Sequence, residues 1–262
     1  MGEIDDERGI LFPRRLPTFH RVPAPSSLAA FVRWFWIPQW RLAPGEISRQ
    51  ELLPYPASNL VVQGDGVTLS GPTTRASQRD LTGQGWAVGM LLRPAGIAAL
   101  HSDPQNLRDD EVPFDAPGLV RDVSTAMASE EPAAARRDAV ATCGAWLAGR
   151  VGRLDPNAML ANAMEEKIEA DPDIVRVDDL ARALHVSPRT VQRPARRYIG
   201  LPPLAVIRRY RLQESAQRLR EDPSLTVAQA AADLGYADHA HLTRDFRRVL
   251  GMTPHAYRHA QR

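Results

Sequence analysis

Cysteine occurs once in the 262 residues, at Cys143, so no disulfide can close within the chain, and that usage suits a reducing compartment. No apolar run approaches the roughly 18 residues of a membrane span. The opening Met1-Gly2-Glu3-Ile4-Asp5-Asp6-Glu7 is acidic and leads into no apolar stretch, so neither a secretory signal nor a membrane contact is expected. A soluble, cytoplasmic protein is the expectation. Hydrophobic residues make up 44% and charged residues 24%, which excludes a collagen, a disulfide scaffold and a wholly disordered chain. At about 150 residues per domain the length allows one large domain or two modest ones.

Lysine is absent from residue 171 onward, where 16 arginines face 10 carboxylates. The first 170 residues carry 17 basic against 21 acidic groups, together with all five tryptophans and 14 of the 17 glycines. An acidic module is thus followed by a basic one. A basic stretch of that size is the footprint of a polyanion partner, because neutralised phosphates release counterions; a solvated helical surface is the plainer alternative.

Within the first module, Phe31 to Trp40, Glu46 to Leu53, Asn59 to Gln63, Val67 to Ser70 and Trp86 to Arg93 have the length of strands. Gly64-Asp65-Gly66 is expected to supply positive φ angles for a tight hairpin. The sum is a small sandwich or barrel with a pocket. Pro94 starts a short helix through Leu100. Later, Val140, Cys143, Leu147 and Val151 recur at helical spacing, as do Leu160, Met164 and Ile168 behind an Asp155 cap and Pro156. Those stripes require burial, against their own barrel or in a dimer seam. Cys143 reads as a small core hydrophobe.

Catalytic constellations are missing. A metal-binding barrel needs two or three histidines plus a carboxylate, and the first module has only the distant His20 and His101. No phosphate loop, serine elbow or Cys-His pair stands out. No catalytic residue, metal ligand or cofactor is therefore expected. Trp34, Trp36, Trp40 and Trp86 form a candidate aromatic wall for a ligand, with simple core packing as the alternative.

In the second module Thr226-Val227-Ala228-Gln229 is a capping box that must open a helix. Val227, Ala231 and Leu234 share its face, Gly235 stops it, and Asp238 caps a second helix with Leu242, Phe246, Val249 and Leu250 inward, ended by Gly251. This is a helix-turn-helix, whose second helix enters a major groove. An earlier copy spans Val177 to Arg197, with His185 at the turn and Ser187-Pro188 as cap and first helical residue. A continuous helix over Leu204 to Arg220 joins the copies.

The run from Ala231-Ala232-Asp233-Leu234-Gly235-Tyr236 through Leu242-Thr243-Arg244-Asp245-Phe246-Arg247-Arg248 to Gly251-Met252-Thr253-Pro254 and Tyr257-Arg258 closely resembles the signature of the AraC/XylS transcription regulators, and the first copy with Arg211-Leu212 is similar. The resemblance covers about residues 174 to 260. It implies an α+β chain: a β-rich cupin-like sensor domain (1–115), a helical dimerisation or linker region (116–172) and a double helix-turn-helix DNA-binding domain (173–262). It further implies a homodimeric regulator of promoter DNA, usually an activator meeting RNA polymerase, controlled by a small-molecule effector or by dimerisation. Carried over by position, Arg189, Gln192, Arg193, His239, His241, Thr243 and Arg244 would meet base edges, as arginine can pair with guanine and glutamine with adenine. Arg196, Arg197, Arg247 and Arg248 would hold phosphates.

Pro194-Ala195 departs from the family pattern of a large apolar residue followed by phenylalanine. A proline there costs about 3 kcal/mol in a regular helix, and alanine leaves a hole. A kinked or poorly held first reading helix is expected, with the second copy dominating specificity. Two other functions compete: an enzyme with chemistry in the barrel and a vestigial helical module, and a DNA-binding-defective regulator acting through a protein partner.

Overall fold

The computed structural model describes residues 18–53 and 55–260. Its strands are β1 (Thr18–Pro23), β2 (Val32–Arg41), β3 (Ile47–Leu52), β4 (Ser58–Gln63), β5 (Gly66–Ser70), β6 (Ser77–Thr82), β7 (Gln84–Trp86), β8 (Val88–Leu92) and β9 (Glu111–Pro113), with helix α1 (Pro94–Leu100) before the last. Helices α2 (Pro117–Met127), α3 (Pro132–Ala148), α4 (Pro156–Ala170), α5 (Val177–Ala183), α6 (Pro188–Pro194), α7 (Pro203–Glu221), α8 (Val227–Asp233), α9 (His239–Leu250) and α10 (Pro254–Ala260) follow. The α+β layout expected from the sequence is the one observed. Strands β1 and β6 had no clear signal, because β6 reads Ser-Gln-Arg-Asp-Leu-Thr and stays largely exposed, while β1 adjoins a proline-rich stretch.

The main sheet runs β1-β2-β8-β4-β5-β9, with β7 also on β2, and β3 pairs with β6 in a separate ribbon. Across it, Phe35 faces Met90, Met90 faces Leu60 and Leu60 faces Leu69. Opposed residues share a face, so this row is one continuous apolar stripe. Helices α2 and α3 cover that side, burying Leu119, Val123, Val140, Cys143 and Leu147 in the same cluster. Each such side chain contributes roughly 1.5 to 3 kcal/mol on burial. Burial also pushes the Cys143 thiol up to about 12, so it serves as a core atom rather than a nucleophile. The β4–β5 hairpin closes at Gln63 opposite Gly66. The expected positive φ angles are absent there: neither Gly64, Asp65 nor Gly66 has one, so the two-residue loop turns within ordinary φ space.

The apolar stripes of α3 and α4 lie inside the chain's own core, with Cys143, Leu147, Met164 and Ile168 fully buried. They are not free for a dimer seam. One cluster extends from the sheet through α2–α4 to Leu180, Val191 and Ala195 of the first helix-turn-helix, and a second surrounds the other unit. Helix α7 bridges them, giving Val206, Ile207 and Tyr210 to the first and Leu212, Ala216 and Leu219 to the second.

Helix α4 meets the β-rich part through a polar face at i, i+3, i+4 and i+7. Asn162 accepts from the Ala95 amide (3.0 Å) and donates to the Ala30 carbonyl (2.7 Å). Glu166 pairs with Arg93 at 2.6 Å and Glu169 pairs with Arg33. Arg33 also donates to the Tyr210 hydroxyl at 2.7 Å and lies over the rings of Trp34, Tyr55 and Tyr210. Glu165, 1% exposed, completes the seam. Burial pushes its carboxyl up to about 8 against the opposing pull of Arg33 and Arg93.

A carboxyl whose pKa is raised by folding holds its proton where the unfolded chain has lost it. Its stabilisation is therefore fully present below the ordinary value of 4.5 and declines as the pH climbs to about 8. We expect Glu165→Gln, a permanently neutral near-isostere, to flatten this part of the pH profile. In thermal melts from acid to mildly alkaline buffer, the unmodified chain should lose on the order of a few kcal/mol more than the variant; parallel profiles would refute the assignment.

Candidate nucleic-acid interface

In the first helix-turn-helix the Arg176 amide donates to Asp179 (3.0 Å) at the start of α5. His185 takes a φ of 54°, the left-handed turn its position demands. Ser187 then accepts from the Thr190 amide (3.1 Å), and Pro188 opens α6. In the second unit the capping box is reciprocal: the Gln229 amide donates to Thr226 Oγ1 (3.1 Å) and the Thr226 amide to Gln229 Oε1 (2.9 Å). Gly235 turns the chain at a φ of 70°, and Asp238 accepts from the His241 amide at 2.6 Å to cap α9.

Regular α geometry in the first reading helix ends at Pro194, as its residue type leads one to expect. At that point α6 widens into a five-residue π turn, Ala195–Ile199, closed by Gly200 at a φ of 80°. A π turn re-routes the backbone bonds around the missing N–H. Ala195 and Val191 are both fully buried, because the Pro104–Leu107 segment, α1 and α4 close over the turn. Those neighbours cover Ala195, so no opening to solvent is left where the side chain is small.

Arg189, Arg193, Arg196, Arg197, His239, Arg244 and Arg247 are exposed, while Gln192, His241 and Thr243 are half-buried. His241 leans edge-on against Tyr236, with ring centres 5.2 Å apart. Arg248 is tied to buried Asp245 at 2.7 Å, so its charge is answered within the protein. Among the described residues, Arg189, Arg193, Arg196, Arg197, Arg244 and Arg247 form no ion pair with a carboxylate. Unanswered guanidinium groups on two capped helices are what a phosphate backbone or a guanine edge can use.

Trp34, Trp36 and Trp40 share one face of β2, opposite the apolar row. Trp36 lies across Gly89, where a Cβ would fall 1.9 Å from the ring, and Trp40 lies likewise across Gly85. Trp34 is buried between Arg21 and Arg33. Trp86 sits opposite Gln39 and thus on the other side of the sheet; it does not join the wall. Sequence reading missed Arg33, Tyr55, Glu165, Glu169 and Tyr210, which lie 177 residues apart at the extreme pair and carry no local motif. It also missed the bond from the Tyr198 hydroxyl to Asp155 (2.6 Å).

Residues 180–260 match a family described as a helix-turn-helix domain, and residues 20–113 match a domain of unknown function (DUF6597). The chain is 35% identical over 113 residues to a protein named as an AraC-like transcription regulator of Streptomyces antibioticus, covering 43% of this chain and 35% of that one. A namesake from Streptomyces lividans is 38% identical over 82 residues, covering 31% and 27%. The chain carries a helix-turn-helix domain, and its matched stretch is similar to that of AraC-like regulators. The matched stretches span about a third of the curated relatives' length. Among solved structures, an apo form of ToxT from Vibrio cholerae aligns over 92% of this chain and all of its own at 9% identity and a TM-score of 0.47. An AraC-type regulator from Chromobacterium violaceum aligns over 38% and 88% at 24% identity and 0.35.

The turn of the second helix-turn-helix unit is doubly constrained. A Cβ on Gly235 would fall 2.2 Å from Val175 Cγ1, in addition to the unfavourable φ. Gly235→Ala is expected to destabilise the protein by at least about 1 to 2 kcal/mol, seen as a lower denaturation midpoint. An unchanged midpoint would show that this contact relaxes freely.

Proposed function

We propose that this protein is a sequence-specific regulator of transcription that reads duplex DNA with α6 and α9. The observation that carries the reading is the pair of capped helices, each behind a left-handed turn residue, presenting exposed arginines that form no ion pair with a described carboxylate. Arg189, Gln192 and Arg193 of the first unit and His239, Thr243 and Arg244 of the second face base edges. His241 assists from its seat on Tyr236. Arg196, Arg197 and Arg247 hold phosphates. Helix α7, 19 residues and hence about 28 Å long, spaces the two units on a scale comparable with the roughly 34 Å turn of B-DNA.

Activation of a promoter through contact with RNA polymerase, in the cytoplasm and as a homodimer, follows from the resemblance to AraC-like regulators. The dimer surface then lies elsewhere than the α3 and α4 stripes. The β-rich part acts as the sensor, and its aromatic face at Trp34, Trp36 and Trp40 is where a small apolar or aromatic effector would meet it. In this reading residues 1–115 sense, 116–172 link or pair subunits, and 173–262 bind DNA.

A selection of bound sequences from random duplexes should return a defined site. On that site Arg189→Ala and Arg244→Ala should each cost roughly 1 to 3 kcal/mol and relax the base preference at one position. Arg247→Ala should weaken all sequences alike. Failure to enrich any sequence, with binding indifferent to salt, would overturn the proposal.

A further inference from the structure

The bond between Tyr198 and Asp155 joins the turn that ends the first reading helix to the start of α4. Asp155 caps α4, accepting from the Asn157 amide at 2.7 Å through Oδ1, and its Oδ2 accepts from the Tyr198 hydroxyl at 2.6 Å. Tyr198 belongs to the π turn and is only 6% exposed. Its ring lies 5.5 Å from the Arg197 guanidinium, within the range of a cation–π contact. Asp155, Asn157, Arg193, Pro194, Arg197 and Tyr198 together line an open cleft of about 180 Å³ beside the end of the first reading helix. Both carboxylate oxygens of Asp155 are occupied by hydrogen bonds within the protein. The two arginines of the cleft form no ion pair with a described carboxylate.

We propose that Tyr198 is a positioning residue for DNA binding: pinned by Asp155, its ring holds Arg197 so that the cleft presents that guanidinium to the DNA backbone while Arg193, on its other wall, stays free to meet a base edge. This deepens the proposed function and rests on it. An arginine on an exposed helix end samples many rotamers, and ordering it on binding costs about 0.5 to 1.5 kcal/mol. A ring fixed from below removes part of that cost before DNA arrives. Arg193 and Arg197, four residues apart, both line the cleft, while Tyr198 turns inward to the start of α4.

The test uses the full chain and a mixed-sequence duplex, because phosphate contacts are independent of sequence. Affinity is followed by fluorescence anisotropy over a series of salt concentrations for the unmodified chain, Arg197→Ala, Tyr198→Phe and the double variant, with circular dichroism confirming unchanged helix content. Loss of one phosphate contact lowers the slope of log affinity against log salt by about 0.9, and Arg197→Ala is expected to do so. Tyr198→Phe keeps the ring and removes only its anchor; it should weaken binding at each salt concentration and add nothing in the Arg197→Ala background. Asp155→Asn, which retains the cap but accepts a weaker bond, should act in the same direction.

A Tyr198→Phe effect that adds fully to Arg197→Ala, or no effect while Arg197→Ala lowers the slope, overturns the positioning role and leaves DNA binding intact. A duplex affinity of the unmodified chain that ignores salt overturns the DNA reading itself, and this inference with it.

Discussion

The arrangement depends on how a permanent cation is kept inside the protein. Arg33 has 8% of its side chain in solvent, and its guanidinium cannot discharge itself. Leaving it unpaired would cost several kcal/mol. Its needs are met from three directions at once: Glu169 of α4, the hydroxyl of Tyr210 on α7, and the faces of Trp34, Tyr55 and Tyr210. A strand of the β-rich part is thereby bound to the helix that links the two reading units. Tyr55 and Tyr210 meet edge to face at 5.7 Å, as do Trp34 and Tyr55. The rings form a continuous path from sheet to linker.

That seam differs in kind from the rest of the core. The apolar row of the sheet and the stripes of α2 and α3 are non-directional and bury area. The polar face of α4 is directional, with Asn162 bonded to two backbone groups and Glu166 and Glu169 each paired with an arginine across the seam. Arg211 adds to it from α7, donating to the carbonyls of Ile168 and Asp171 at the end of α4. A second tie lies further along. Arg209 donates to the Thr74 carbonyl, and the Ala76 amide donates to the Val249 carbonyl at 2.8 Å, so the loop between β5 and β6 grips both the linker and the second reading helix. The linker helix and the second reading helix are thus each anchored to the β-rich part by hydrogen bonds of fixed geometry.

Pro194 shows how a local rule is accommodated by packing. Helix propensity treats proline as an interruption, and an isolated helix would obey. Here the Pro104–Leu107 segment, α1 and α4 all pack on the residues that follow. The backbone widens by one residue instead of breaking. The turn also carries Tyr198, whose hydroxyl donates to Asp155.

Much of what depends on neighbours in the chain could be read without coordinates, although the φ angles of the Gly64–Gly66 turn could not. The capping box at Thr226 and Gln229, the caps at Asp155, Ser187 and Asp238, the turn residues His185 and Gly235, helix α1 and the strands β2 to β5 are local, set by backbone sterics and hydrogen bonds spanning a few residues. The exposed arginines of both reading helices follow from the same helical periodicity. What folding alone decided are the matches between distant residues: Arg33 with Glu169 and Tyr210, Asn162 with Ala30 and Ala95, Tyr198 with Asp155, Trp86 on the far side of the sheet from the other tryptophans, and the burial of the α3 and α4 stripes within one chain. No pattern of spacing encodes such pairs, because a buried charge or polar group is satisfied by whichever partner the packed elements bring within about 3 Å, and that partner is chosen by the geometry of the whole core.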